Sequence, residues 1–407
     1  MRIATFSSHV IQYIAPMWRE ISKLPGVELK VHYFSKQGIE AARDHEFGIS
    51  YKWDVDLLDG YEYEFLPRQW PTTDPCDYSW SGLNSGLREA VERGWDAVWV
   101  GGMVHINNWR LMSLCRKLNI PYMMHSDVSI LTAFDKPMWK LALKNIGVRY
   151  FFRRLDGAFA VGDHAKEYLL HYGARPANTF IVPIPIDVTR FRATAETATP
   201  ERRAEVAAKF KVPAGKRLIA FTGKFIPRKR PFDFIEAIHR LERDDVVGMM
   251  IGDGPLRAEI DRALGSKVFV TGFVNQSELP ILLSMASAYV MPSDYDAHPL
   301  AVTEALSVGL PVLLSDKCGC YGPTDVLRDG EDGFVYPAGD VDAIVRHLHF
   351  LLDNEGERQR MSRRAYELAW TQSAESAAKA FVDATRTILA NRGSVPGARE
   401  AADRGLG

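Results

Sequence analysis

Four cysteines in 407 residues (Cys76, Cys115, Cys318 and Cys320) are too few and too scattered for a disulfide framework. Cys318 and Cys320 form a C-x-C pair with no second cysteine pair or histidine cluster beside it, so no metal site is expected and two small loop residues suffice. No apolar run reaches the ~18 residues of a membrane-spanning helix. The opening MRIATFSSHV has no apolar core of about 7–15 residues such as a signal peptide carries, and it reads as a buried first strand. An excess of charge is missing too: 50 Lys and Arg against 51 Asp and Glu leave a net charge of -1, no field for nucleic acid. Internal repeats and low-complexity tracts are absent. Together these absences point to a reducing, cytoplasmic setting. The 46% hydrophobic and 25% charged content is that of a globular enzyme.

What is present is a rhythm of short apolar runs separated by helical patterns, the mark of a parallel α/β sheet wrapped by helices. The first half carries RIATFSS, VELKVHYFS, AVWVGG, PYMMHSD, GAFAVG and TFIVPIP; the second carries RLIAFTG, VVGMMIGDG, KVFVTGFV, AYVMPSD, PVLLSD and GFVYP. Several end in Gly, Ser, Asp or His, as strands do where they empty into a ligand crevice. The length predicts two doubly wound domains rather than one very large sheet. The expected division is 1–191, a polar connecting helix within 192–214, and a second domain over 215–372. A C-terminal helix at 373–391 should pack back on the first domain, and the tail 393–407 lacks the apolar content to fold.

Four stretches of the second half converge on one chemistry. FTGKFIPRKRPFDFIEAIHRL is a strand ending at Gly223, a basic loop with Lys224, Arg228, Lys229 and Arg230, and an amphipathic helix with apolar residues at 232, 234, 235, 238 and 241. Such a loop suits an anion, although a solvated basic loop would look the same. MMIGDGPLRAEI adds a tight turn. In KVFVTGFVNQSELP, strand residues 268–274 lead to a helix opened by Asn275 or Ser277, and Gly272 permits close approach of a planar ring. SDYDAHPLAVTEALSVGLPVL then places Pro299 in the first turn of a helix that stops at Gly309. The N–H groups of Leu300 and Ala301 at that start carry about half a positive charge, a seat for phosphate. Asp296 precedes the helix and Glu304 lies one turn inside it; each carboxylate can accept two hydrogen bonds from a sugar diol. Acids near a helix start are also favoured by the macrodipole alone, so the pair by itself decides nothing.

In combination, GKFIPRKR, GDGP, TGFV, DAHPLAVTEAL and DGEDGFVYPAGD resemble the nucleotide-sugar domain of GT-B glycosyltransferases, specifically glycosyltransferase family 4 with its E-x7-E motif. The resemblance implies two Rossmann-like domains facing across a cleft, an acceptor-side domain first and a nucleotide-sugar domain second. It implies retaining transfer from a UDP- or GDP-type sugar to a glycan or lipid-linked acceptor, in bacterial cell-surface polysaccharide or glycoconjugate synthesis, with no metal required. By position, Lys224 and Lys229 would neutralise the diphosphate. Glu304 would hold the ribose, Asp296 the transferred sugar, and Gly223, Phe273 and Val274 would border the donor. Lys224 stands where Arg is usual, Asp296 where Glu is usual, and His298 where an aromatic is usual; these departures bear on which sugar is transferred. Asp54-Val-Asp56 spells D-x-D, a metal-diphosphate signature of another glycosyltransferase fold, and is expected to lie far from the donor motifs.

For the first half, the resemblance implies acceptor groups on loops at strand ends. His125 is expected to face the donor sugar, with Asp127 beside it. His9, Gln12 and Tyr13 follow the first strand, where the family's Gly-Gly is missing, and His105 with Asn107 follows AVWVGG. The segment 136–154 mixes Lys136, Lys140, Lys144, Arg149, Arg153 and Arg154 with Trp139, Tyr150, Phe151 and Phe152. Peripheral contact with the inner face of an anionic membrane fits it, as does an ordinary helix with its aromatic face in the core. A nucleotide-sugar epimerase and a non-catalytic nucleotide-sugar-binding protein remain open beside the transferase.

Overall fold

The computed structural model describes residues 1–39, 42–43, 50–51, 54–69, 82–132 and 138–393. Cys76, Trp139, the lysines at 136, 140 and 144, and the tail beyond 393 lie outside the described residues or have side chains that do. Two parallel sheets organise the chain. The first contains β1 (Arg2–Ser7), β2 (Glu28–Tyr33), β3 (Glu62–Phe65), β4 (Ala97–Gly101), β5 (Tyr122–Ser126), β6 (Gly157–Ala160) and β7 (Thr179–Ile181), in the order β3-β2-β1-β4-β5-β6-β7. The second contains β8 (Arg217–Thr222), β9 (Val246–Ile251), β10 (Val268–Gly272), β11 (Ala286–Met291), β12 (Val312–Ser315) and β13 (Gly333–Tyr336), in the order β10-β9-β8-β11-β12-β13. In both, the first strand is central and the order reverses beside it, so each sheet has a switch point where a crevice opens at the strand ends.

The central strands are apolar along their whole length because helices cover both faces. VVGMMI of β9 is buried at every position, as is the YMMHS of β5. The helices that matter below are α1 (Ala15–Ser22), α2 (Ile106–Lys117), α3 (Met138–Phe152), α4 (Asp163–His171), α5 (Val188–Glu196), α6 (Pro200–Lys209), α7 (Pro231–Arg240), α8 (Leu300–Ser307) and α9 (Ala374–Gly393). Helix α9 lies on the first sheet. Phe381 meets Trp18, Trp99 and Phe159 edge-on, and a Cβ on Gly157 would fall 2.2 Å from Ile388 Cδ1.

Local readings needed correction. Two helices, α5 and α6, stand where one connecting helix was expected, and Phe191, Val206 and Phe210 are buried in the core of the second sheet. Pro299 is the N-cap of α8 with ψ 105 rather than its first helical residue, since its extended ψ lies outside the helix. The strand expected over 268–274 stops at Gly272, and the helix after it begins at Leu279, following a turn in which Asn275 O accepts from the N–H groups of Glu278 and Leu279. Phe232, assigned to the apolar stripe of α7, is exposed; Phe234, Ile235 and Ile238 are buried. Among the described residues no helix is long and apolar enough to cross a membrane.

Candidate active site

The basic loop and the loop before α8 are stitched together by backbone and arginine contacts. Asp294 N donates to Arg228 O at 2.8 Å, Arg228 Nη1 reaches Tyr295 O at 3.3 Å, and Arg230 bonds Asp233 and Asp294. Two of the four basic residues are thereby committed to shaping the loop rather than to an anion. Lys229 is the one delivered inward, where its ammonium pairs with the Asp296 carboxylate, their side chains 11% and 17% exposed. The loop rests on the GDGP turn: Phe225 N donates to Asp253 O at 2.8 Å, and a Cβ on Gly252 would lie 2.0 Å from Gly223 O. With φ 145 and backbone on that side, only glycine fits at 252.

Beside this pair, Gly223, Phe273, Val274, Ala301 and Glu304 line one cavity of about 130 Å³, joined by Tyr13 from the first half. Leu300 and Ala301 open α8 at its edge. Glu304 is buried; Tyr13 Oη donates to its Oε1 at 3.4 Å and Gln276 Nε2 donates at 3.2 Å. Burial raises its carboxyl to about 7, partly opposed by the Gln276 hydrogen bond. Arg190 supports this arrangement by donating to both oxygens of Gln276, at 3.1 and 3.0 Å. A larger cavity of about 370 Å³ adjoins on the hinge side, sharing Tyr13 and Gln276 and lined by Gln12, Arg19, Asp187 and Arg190.

From the first half, His125 is buried at the end of β5. Its Nε2–H donates to Val182 O at 2.7 Å, and burial lowers its pKa to about 4, so the ring is neutral. His298 lies close enough that a charge on its ring would disfavour a charge on His125. His298 Nε2 in turn lies 3.2 Å from Asp325 Oδ1, both side chains being closed to solvent.

The remaining candidates separate. Tyr13, placed on the acceptor side by sequence, touches the proposed ribose holder instead. His9 sits against Ser8 Oγ at 2.9 Å, and burial lowers its pKa to about 4; Gln12 belongs to the hinge cavity. Asp127 is exposed in the loop after β5. His105 is the N-cap of α2, accepting Asn107 N at 3.2 Å with its ring 4.7 Å from Phe34, and Asn107 is buried against Asn84. Both residues are spent on structure. The D-x-D expectation fails in position: Asp54 lies against the second half, accepting the N–H of Ser277 at 3.3 Å and its hydroxyl at 2.5 Å, while Asp56 Oδ1 accepts the N–H groups of Leu58 and Asp59. Cys318 and Cys320 are free thiols, buried in the loop after β12. Sequence reasoning missed Gln276, Arg190 and Asp325; only the TGFV motif just before Gln276 offered a signal.

Two parallel Rossmann-like sheets with the donor motifs at the strand ends of the second define a GT-B protein. Residues 202–368 match the family model described as glycosyl transferases group 1. The chain is 25% identical over 363 residues to a D-inositol 3-phosphate glycosyltransferase of Streptomyces bingchenggensis, covering 82% of this chain and 76% of that one. It is 26% identical over 209 residues to the lipopolysaccharide core biosynthesis glycosyltransferase LpsE of Rhizobium meliloti, 50% of this chain and 57% of that one. The structure of Anabaena Alr3699/HepE in complex with UDP and glucose superposes with a TM-score of 0.69 at 14% identity, over 95% of this chain and 100% of that one. The second half thus matches a group 1 glycosyl transferase domain over residues 202–368, and the protein that carries it is a glycosyltransferase.

Proposed function

We propose that the protein transfers a sugar, with retention of anomeric configuration, from a UDP-type nucleotide sugar to a glycan or lipid-linked acceptor of cell-surface polysaccharide synthesis. The observation that carries this reading is that the Lys229 side chain, paired with Asp296, lies against Gly223, which lines one cavity with Glu304 and with Ala301 of α8. The ribose sits on Glu304 and the base against Phe273 and Val274. The diphosphate lies between the Lys224 and Lys229 loop and the N–H groups of Leu300 and Ala301, and the sugar lies beside Asp296, His125 and His298. UDP is favoured by the HepE complex and by the modest base cavity; the polysaccharide setting is favoured by the likeness to LpsE.

In the reaction the anomeric C1–O bond to the diphosphate breaks while the acceptor oxygen bonds C1 from the same face. The acceptor proton passes to the departing phosphate oxygen. Lysines and a helix start stabilise the growing phosphate charge without reorganising, the role a metal serves elsewhere. His125, with its proton held on Nε2 by the hydrogen bond to Val182 O, presents its other nitrogen as an acceptor for a sugar hydroxyl. The C-terminal half of α3, where Ile146 and Tyr150 are exposed and Arg154 covers the Tyr150 ring, is the face for peripheral membrane contact.

The test is a panel of UDP- and GDP-sugars with release of nucleoside diphosphate as readout, followed by NMR of the product's anomeric centre. Inverted product would refute retention. Binding without turnover or with sugar isomerisation would favour a binding protein or an epimerase.

A further inference from the structure

The Asp325 carboxylate is ringed by N–H donors. Its Oδ1 accepts Val326 N at 2.8 Å and lies 3.2 Å from His298 Nε2, and its Oδ2 accepts Asp163 N at 3.1 Å. Asp163 opens α4 in the first half of the chain, so Asp325 caps a helix of the opposite domain. The exchange is reciprocal: the Asp163 carboxylate accepts the Thr324 N–H at 2.9 Å and its hydroxyl at 2.6 Å. The fit is tight on both sides. A Cβ on Gly162 would lie 2.0 Å from Asp325 Oδ2, and one on Gly322 2.5 Å from Asp163 Oδ2.

A carboxylate fixes the proton of any imidazole it faces. With Asp325 accepting, His298 keeps its proton on Nε2, which leaves Nδ1 as a bare lone pair. That atom is buried and has no hydrogen-bond partner among the described residues. Buried polar atoms without partners are rare and call for an explanation; this one belongs to the residue two positions after Asp296, and its ring lies within electrostatic reach of His125.

We infer that Asp325 is a positioning residue for glycosyl transfer: it holds His298 in the Nε2–H tautomer, so that Nδ1 accepts a hydroxyl of the transferred sugar, and does so only while the two domains are closed on each other. This rests on the cleft being the donor-sugar site. It adds a requirement on the substrate, a free hydroxyl on the sugar face that meets His298. It also explains why the acid holding that ring is shared with the other domain. Closure and ring orientation become one event, since opening the domains removes one of the three donors that hold the carboxylate.

Asp325→Ala tests it, because it removes the oxygen that fixes the His298 proton, whereas an Asn could keep its amide oxygen on His298 and turn its NH2 to Asp163. In protein labelled with 15N-histidine, with the His298 signals assigned by their loss in His298→Phe, the wild type is expected to show the Nε2–H tautomer. Asp325→Ala is expected to show a Nδ1–H or mixed state. Turnover should fall by about tenfold or more, the scale of one buried hydrogen bond, with nucleoside diphosphate Kd within about twofold. Asp325→Ala added to His298→Phe should cost little further. An unchanged tautomer, or losses that multiply in the double variant, would overturn the inference. If Asp325→Ala does not fold, Gly162→Ala displaces the carboxylate with its charge intact, and the same tautomer readout applies. A wild type inactive on every donor would instead count against the transferase reading, since the tautomer is read without turnover.

Discussion

Donor affinity should rise steeply with pH through neutrality, and Glu304 is the reason. Its carboxyl is buried and raised to about 7 from an ordinary 4.5. Ribose hydroxyls donate hydrogen bonds, so the ionised carboxylate is the form that binds them. At pH 6 about one-tenth of the protein carries that form and at pH 8 nearly all of it, which makes binding about tenfold weaker at the lower pH, or about 1.4 kcal/mol. Calorimetry with an intact nucleotide sugar is the suitable assay, because its diphosphate has no protonation step in this range. Binding at pH 6 should also release close to one proton, visible as a buffer-dependent enthalpy. Glu304→Gln should bind more weakly at pH 8 and lose the slope. The folding equilibrium provides an independent check of sign. The folded state holds the Glu304 proton more tightly than the unfolded chain, so its contribution is fully present below about pH 4.5 and is lost as pH rises through about 7. Glu304→Gln should therefore gain stability relative to wild type at pH 8 but not at pH 4. Donor affinity that is flat from pH 6 to 8, or a slope that survives in Glu304→Gln, would refute the assignment.

Three further outcomes follow from the same geometry. Lys229→Ala removes the charge facing the diphosphate and leaves Asp296 without its ion pair, so turnover should fall by about 10²-fold, with Lys229→Arg recovering part of it. Activity should survive EDTA, and Asp54→Ala should raise donor KM by about two- to fivefold through the lost Ser277 contact, the scale of a hydrogen bond to a charged group; loss of all activity restored by a divalent ion would return the D-x-D to a metal role. Asp332 is buried, its Oδ2 has no partner among the described residues, and burial lifts its carboxyl to about 7. Asp332→Asn should therefore raise stability by about 1–2 kcal/mol at pH 8 in a denaturant titration and give no gain at pH 4, where wild type is already protonated.

The sheets were legible because their strands are buried on both faces and read as unbroken apolar runs. Strand β3 was not, since its EYEF alternates charge with aromatics along a sheet edge where solvent reaches it. The basic loop was legible for a related reason: Gly223, Lys229 and the start of α8 are each defined by local turns that short motifs encode. His105 shows the converse. A histidine at a strand end reads as a candidate ligand until the N–H of Asn107, two residues on, is seen to occupy its ring nitrogen. What sequence could not supply were the contacts made by docking one half on the other. Tyr13 and Glu304 are 291 positions apart and Asp54 and Ser277 are 223 apart. No periodicity spans such distances.

These long-range pairs share a chemistry that accounts for both the errors and the mechanism. Asp54, Asp163 and Asp325 are carboxylates whose partners are N–H and O–H donors of the opposite half. In the sequence each is an acid of unassigned purpose, and Asp54 even matches a metal motif. What an acid does is settled by what it faces: N–H donors make it a cap, an ammonium makes it an ion pair, an imidazole makes it a tautomer lock. In this chain Asp54 and Asp163 find these donors in the opposite half and Asp325 takes one of its three from there, so docking of the halves settles part of those roles, while Lys229 and His298 meet their acids within the second half. On the proposed reading sugar transfer gains by this, because the groups assigned to the sugar would be in register only with the two halves docked and water excluded from the anomeric centre.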